Sequence, residues 1–130
     1  MQIEIFTIAD AATIHCGKLN LLGSFDHLNA PEFPAVHREC CIVTKLRMGD
    51  QDSGEHELEV RIIDPDGISL IEPTKGTFSA SIEFGKSGHH TLLWNLRKFP
   101  LPKPGVFYID ALVDGTLLSR TPLFVSQTET

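Results

Sequence analysis

The sequence has few cysteines and no long hydrophobic run. Its three cysteines are an odd number, which does not fit the paired disulfides that hold small secreted domains together. No stretch approaches the roughly 18 apolar residues that a membrane-spanning helix requires. The first residues also lack the basic start and continuous apolar segment of a signal peptide. These absences predict a protein that stays in the cytoplasm and does not insert into a membrane.

Basic residues are also scarce. The chain has 11 Lys and Arg against 17 Asp and Glu, which gives a net charge of −6, and the basic residues cluster no further than pairs such as Arg97-Lys98. Binding to a phosphate backbone or an anionic lipid surface depends on clustered positive charge. Nucleic acid and membranes are therefore not expected partners.

The common catalytic signatures are missing as well. The chain contains no G-x-S-x-G nucleophile elbow, no G-x-G-x-x-G loop and no phosphate-binding P-loop. We therefore predict no catalytic residue and no cofactor, and expect that the protein is not an enzyme. A hydrolase with paired carboxylates is kept as a third alternative.

The pattern that is present repeats every two residues. Leu58, Val60 and Ile62 alternate with charged residues, and apolar residues alternate with polar ones over 78–84. This period is typical of strands that bury one face and expose the other. Strands are predicted near residues 2–9, 18–26, 39–48, 56–64, 77–84, 91–97, 106–113 and 116–125.

Turn sequences separate these segments. Asp64-Pro65-Asp66-Gly67 predicts a type I turn and Asp114-Gly115 a two-residue hairpin, while the prolines of residues 29–34 predict a rigid crossing. Seven or eight short strands without a helix indicate an all-β, antiparallel, immunoglobulin-like β-sandwich. We expect one domain over residues 1–130, with a loose tail at 126–130. The expected shared core includes these aromatic residues: Phe6, Phe25, Phe78, Phe84, Trp94 and Phe124.

The stretch ADAATIHCGKLNLLG, residues 9–23, contains an acid, an imidazole and a thiol. Its pattern predicts a strand, a corner and a second strand. We expect Asp10 to accept backbone hydrogen bonds at the corner and Gly17 to adopt a positive φ. Gly23, inside a strand, indicates a bulge or a close backbone approach.

A metal site is the second functional alternative. The residue types that bind zinc are found at His15, Cys16, His37, Cys40 and Cys41, and the question for the fold is whether they converge. Adjacent residues such as Cys40 and Cys41, or His89 and His90, point to opposite faces of a strand, which argues against their sharing one ion. His37-Arg38-Glu39 also lacks the downstream cysteines of a zinc deaminase, so no metal ligand is assigned.

Calcium is the other ion considered. Acidic residues on the predicted loops are Asp50, Asp52, Glu55, Asp64 and Asp66. Calcium needs six to eight oxygens converging on one point, whereas Asp in loops commonly binds its own backbone. Whether these acids bind an ion is left open.

Several segments together resemble a family of small bacterial proteins of unknown function. The most specific are A-D-A-A followed by G-K-L-N-L-L-G, and P-G-x-x-x-x-D-x-x-x-D-G over residues 104–115. The resemblance covers about residues 3–125 and implies an immunoglobulin-like β-sandwich. It implies no activity, ligand or catalytic residue.

Together these features favour a non-enzymatic binding or assembly module. Such sandwiches recognise partners through loops or through an exposed sheet edge. The expected partner is a protein, and an unpaired edge strand, either the first or the last, would favour a homodimer.

Overall fold

The structure is a computed structural model that describes residues 1–129. Two-residue alternation produces strands along most of this length, with one short 3-10 helix at Asp50–Asp52. The strands are β1 (Gln2–His15), β2 (Lys18–Phe25), β3 (His27–Ala30), β4 (Ala35–Gly49), β5 (Gly54–Ile63), β6 (Thr74–Ala80), β7 (Ser87–Leu101), β8 (Gly105–Val113) and β9 (Thr116–Gln127).

The strands form two sheets. Sheet A has the order β2-β1-β4-β7 and sheet B the order β3-β9-β8-β5-β6. All pairs are antiparallel except β3 and β9, which are parallel. The pairing of β4 with β7 in one sheet and the order β9-β8-β5-β6 in the other are those of an immunoglobulin-like sandwich. The predicted fold class is confirmed, with nine strands rather than seven or eight.

The additional strand is β3, which lies partly in the segment expected to be a rigid crossing. Residues His27–Ala30 pair with Phe124–Gln127, and only Pro31–Pro34 make the irregular crossing. The same pairing extends β9 to Gln127, and the amide of Thr128 donates to the carbonyl of Ala30. The loose tail expected from residue 126 is therefore ordered through 128 by this long-range pairing, and residue 130 lies outside the described range.

The core lies between the inward faces of the two sheets. Leu58, Val60 and Ile62 of β5 are fully buried there, as their alternation predicts. Thr44 of β4 is also fully buried, and within residues 1–129 its hydroxyl has no hydrogen-bond partner. Trp94 is partly buried and packs against the same core.

Three residues differ from the expected burial. Phe124, expected in the core, is 38% exposed because it alternates in β9 with the buried Leu123 and Val125. Phe84 is 96% exposed because β6 ends at Ala80, and the chain after that residue leaves the sheet. Asp110 alternates in β8 with the buried Ile109 and Ala111 and faces outward, yet it is only 3% exposed. Since β8 is central in sheet B, its outward side chains are covered by neighbours, and Arg120 of β9 binds the Asp110 carboxylate with two hydrogen bonds.

No helix in residues 1–129 is long and apolar enough to cross a membrane.

Candidate functional site: the β1–β2 hairpin

The β1–β2 hairpin extends beyond the rest of sheet A. β1 pairs with β4 only as far as Ala9, whereas it pairs with β2 as far as His15. The turn at its tip is Cys16-Gly17, and both residues have positive φ, 50° and 73°. Two left-handed residues define a type I′ hairpin turn, which suits the twist of the flanking strands. The positive φ predicted for Gly17 is confirmed.

The hairpin bends where Asp10 lies opposite Gly23. Gly23 has φ of 70°, and a Cβ there would overlap the Asp10 carboxylate. The predicted close approach at Gly23 is therefore confirmed. The backbone hydrogen bonds expected at the Asp10 carboxylate are not formed within residues 1–129. Asp10 instead acts by packing against a position that only glycine fits.

Beyond this bend the hairpin folds back across the outward face of sheet A. Ile14, Gly17 and Leu19 line an open cleft of about 220 Å³ together with Lys45, His89, His90 and Thr91. Lys45 pairs with Ile5, which lies before Ala9 in β1. A straight continuation of β1 beyond Ala9 would carry the hairpin tip away from Lys45. The tip therefore reaches Lys45 only if the chain reverses direction. The reversal explains why Cys41 and Val43, on the outward face of β4, are 1% and 0% exposed.

Alternation gives the hairpin two different faces. Ala12, Ile14, Leu19 and Leu21 lie on one face, and Thr13, His15, Lys18 and Asn20 lie on the other. Ala12 and Leu19 on the apolar face are half-buried, as expected of the face that meets sheet A. Three large apolar side chains remain exposed, at 70% for Leu22, 51% for Ile14 and 39% for Leu21. The hairpin therefore exposes large apolar side chains that its contacts with the rest of the protein do not cover.

β2 also forms an edge of sheet A, because within residues 1–129 it pairs with β1 alone. The expectation that the first or last strand forms an open edge is wrong, since β1 lies between β2 and β4 and β9 lies between β3 and β8. Both are held inside their sheets by long-range pairings that local pattern does not reveal.

The other three edges carry features that oppose pairing with another chain. In β7 these are Lys98, with φ of 52°, and Pro100. β3 has only four residues and is followed by Pro31. β6 follows Pro73 and contains Gly76. β2 has no proline and a single charged residue, Lys18, at its first position. Its Gly23, with φ of 70°, leaves Lys18–Leu22 as an extended segment without a proline or a bend. β2 is therefore the edge with the least protection.

The candidate zinc ligands do not share a location. His15 and Cys16 are exposed at the hairpin tip, whereas Cys40 and Cys41 are buried on opposite faces of β4. His37 is on β4 beside Phe25, and its Nε2 is buried without a hydrogen-bond partner in the described residues. Residues 1–129 bring no three His, Cys, Asp or Glu side chains into a group that could hold a metal.

The two buried thiols are poor nucleophiles. Burial raises the pKa of Cys40 to about 12 and also raises the pKa of Cys41. Because the thiolate is the reactive and metal-binding form, both thiols are unreactive at neutral pH. Cys16 is the exposed cysteine.

Three of the acidic loop residues accept hydrogen bonds from backbone amides: Asp52 and Asp64 within their own loops, and Asp50 from the loop between β6 and β7. Asp64 Oδ1 accepts hydrogen bonds from the amides of Asp66 and Ile68, and Asp50 Oδ2 accepts one from Gly85. Asp52 Oδ2 accepts the amide of Gly49. This is the turn chemistry that Asp commonly provides.

Sequence reasoning missed a cluster around His56, because its members come from distant segments. Nδ1 of His56 lies 2.6 Å from Oδ2 of Asp114, and Nε2 contacts the carbonyl of Asp52. The hydrogen bond to Asp114 is the main reason that the pKa of His56 is raised. Since both ring nitrogens are occupied, neither is free for proton transfer to a substrate. Within the sequence, the one feature that pointed to this cluster was Asp114 in its two-residue turn.

The fold and the hairpin together define the class of protein: an immunoglobulin-like β-sandwich with a hairpin inserted before β3 and folded over one sheet. The chain belongs to DUF6941, a family of unknown function, whose model matches residues 4–126. No curated protein matches the sequence.

Solved structures share the fold at low sequence identity. The alkylpurine DNA glycosylase AlkC of Pseudomonas fluorescens, bound to DNA containing an abasic site analog, matches at 14% identity and a TM-score of 0.56, over 96% of this chain and 30% of that one. A β-glucosidase from Listeria innocua in complex with isofagomine matches at 9% and 0.54, over 97% and 17%. This chain therefore spans less than a third of either protein. An immunoglobulin-like protein from Pseudomonas aeruginosa matches at 13% and 0.40, over 95% and 94%.

Proposed function

We propose that the protein is a non-enzymatic binding or assembly module, and that a protein partner adds a strand to the free edge of β2. The observation that carries this proposal is the combination of an unprotected edge with exposed Leu21 and Leu22. In strand addition, backbone hydrogen bonds supply affinity and alternate side chains supply specificity. β2 offers both elements on one surface.

The remaining polar groups support this choice over an enzyme or a metal module. Asp50, Asp52 and Asp64 of the loops and both ring nitrogens of His56 are engaged in bonds within the fold. The cleft beneath the hairpin tip is open and small, near the lower end of what a ligand pocket requires. A reducing, cytoplasmic setting is part of the proposal, supported by three free cysteines.

The test is quantitative capture of partners from the native host with tagged protein. Leu22→Lys places a charge on the edge, where it opposes strand addition, and should remove the partners that the wild type captures. The matched control is Ile68→Lys, because Ile68 is similarly exposed at 64% but lies in a loop of sheet B. Equal capture by the wild type and Leu22→Lys would overturn the proposal.

The two alternatives make different predictions. A metal module would gain several degrees in Tm with calcium or zinc and lose them with a chelator. We expect neither ion to change Tm, because the described residues provide no group of three ligands. A shift reversed by chelator would replace the binding proposal with the metal one.

A further inference from the structure

We propose that the strand added to β2 is β2 of a second copy, so that two chains pair antiparallel across a two-fold axis at Asn20. This inference rests on the proposed function, and it specifies the partner. It depends on the hydrogen-bonding parity of β2, the charge of the hairpin and the protection of the other edges.

Hydrogen-bonded and non-hydrogen-bonded pairs alternate along the hairpin, and this alternation determines which residues of β2 have backbone groups available to another strand. In a hairpin with a two-residue turn, the residues flanking the turn form the first hydrogen-bonded pair. Here these are His15 and Lys18, so Lys18, Asn20 and Leu22 direct their backbone groups toward β1. Leu19 and Leu21 therefore direct N–H and C=O away from β1, toward a further strand.

The register follows from the length of the regular segment. Residues Lys18–Leu22 are extended, and the bend at Gly23, with φ of 70°, ends the straight edge. A two-fold axis at Asn20 places Leu19 of each copy opposite Leu21 of the other. Each of these leucines then donates one backbone hydrogen bond and accepts another without involving the bend.

Charge favours a second copy at this surface. Residues 11–25 contain no acidic residue, although the chain has 17 and a net charge of −6. Neither hairpin therefore brings a carboxylate of this segment to the contact between the two copies. The single charge, Lys18, lies opposite Leu22 of the other copy. The two lysines are then about 14 Å apart along the strands, beyond the screening length of about 8 Å at physiological ionic strength.

The symmetry also predicts a closed assembly. An isologous contact uses the same surface on both copies and stops at two chains. Further growth would require a second free edge, and each of the other edges has a proline in it or directly beside it: Pro31 after β3, Pro73 before β6 and Pro100 in β7. The expected product is a dimer in which the two hairpins form one four-stranded sheet with the order β1-β2-β2-β1.

Sedimentation equilibrium of the full chain tests the oligomeric state. We expect a concentration-dependent dimer in the wild type. Leu21→Pro removes an outward N–H without touching the pairs with β1, and should give a monomer with an unchanged circular dichroism spectrum. A wild type that stays monomeric at every concentration would overturn this inference.

Disulfide trapping tests the register in a Cys16→Ser background. The two Asn20→Cys positions would face each other in a non-hydrogen-bonded pair, with Cα atoms about 4.5 Å apart, inside the range that a disulfide bridges. The matched controls are Lys18→Cys and Leu22→Cys, whose two copies lie apart in this register. We expect oxidation of Asn20→Cys to form dimers about tenfold faster than either control, given this distance requirement. Faster trapping at Leu22→Cys, or none above controls, would refute the register.

The two levels of the proposal fail differently. If the wild type is a monomer but loses captured partners on Leu22→Lys substitution, β2 binds another protein and only the self-association is wrong. If neither dimer nor captured partner depends on Leu22, both proposals are wrong.

Discussion

The fold-back of the hairpin makes a prediction about cysteine reactivity. In the wild type Cys16 should react with a thiol reagent at once, while Cys40 and Cys41 should be protected. At pH 8 the Cys40 thiol, with a pKa of about 12, is only about 10⁻⁴ thiolate. Protection of Cys41 depends instead on the hairpin, which covers the outward face of β4.

Gly23→Ala should make the hairpin open more often from the outward face of β4, which would expose Cys41. An alanine with φ near 70° costs about 1–2 kcal/mol, and its Cβ would overlap the Asp10 carboxylate, which adds about 1–3 kcal/mol of packing strain. A total of about 2–5 kcal/mol corresponds to an increase of roughly 30-fold or more in the open population. Labelling of Cys41 should rise by the same factor if opening and closing are fast.

The measurement is the rate of labelling of each cysteine, followed by mass spectrometry of the peptides. Gly17→Ala is the control, because Gly17 has a similar φ of 73° but open space around its Cβ position. Gly17→Ala has only the free-energy cost of the positive φ, without the overlap. It should therefore increase the rate of Cys41 labelling less than Gly23→Ala does. The reasoning is refuted if the two variants label Cys41 equally, or if wild-type Cys41 reacts as fast as Cys16.

Further predictions concern stability. Thr44→Val should raise the free energy of unfolding by about 1 kcal/mol in urea titrations, because a buried hydroxyl without a partner costs free energy. Phe99→Ala should cost about 3–5 kcal/mol, whereas Phe84→Ala should change stability by less than about 0.5 kcal/mol, because Phe84 is exposed. The His56–Asp114 pair should stabilise the fold most between about pH 4 and 6.5.

The pH dependence follows from the two directions of shift. The Asp114 hydrogen bond raises the pKa of His56, so its stabilisation is complete below the ordinary value of 6.5 and is lost as pH rises through the folded pKa. The pKa of Asp114 is lowered, chiefly by His56, so its stabilisation is lost as pH falls through its folded pKa. His56→Asn should flatten the decline above pH 6.5. A wild type whose stability rises over that range would contradict the assignment.

The stability predictions for Thr44→Val and Phe84→Ala can each be contradicted by one result. Destabilisation by Thr44→Val would show that the hydroxyl has a partner, such as a buried water. A large loss of stability in Phe84→Ala would place that side chain in a contact. Urea midpoints at constant slope distinguish these cases.

Much of the fold could be predicted from local chemistry. Alternating residues such as Leu58, Val60 and Ile62 identify the faces of a strand, and Asp114-Gly115 identifies a hairpin turn, because both signals depend on neighbours within a few residues. The same logic identified Gly17 and Gly23 as special backbone positions. It failed at Phe84, where the alternation continues although the strand has ended.

The candidate site could be predicted only in part, because it depends on contacts between distant parts of the chain. The sequence by itself determined that residues 9–23 contain a strand, a corner and a second strand, but it ended the first strand near residue 9, whereas β1 continues to His15. Only the tertiary structure decided that the hairpin folds back over β4, that β2 is an edge, and that Cys41 and Asp110 are buried. The physical reason is that sheet order and burial depend on pairings between residues far apart in the chain, which the two-residue period does not encode.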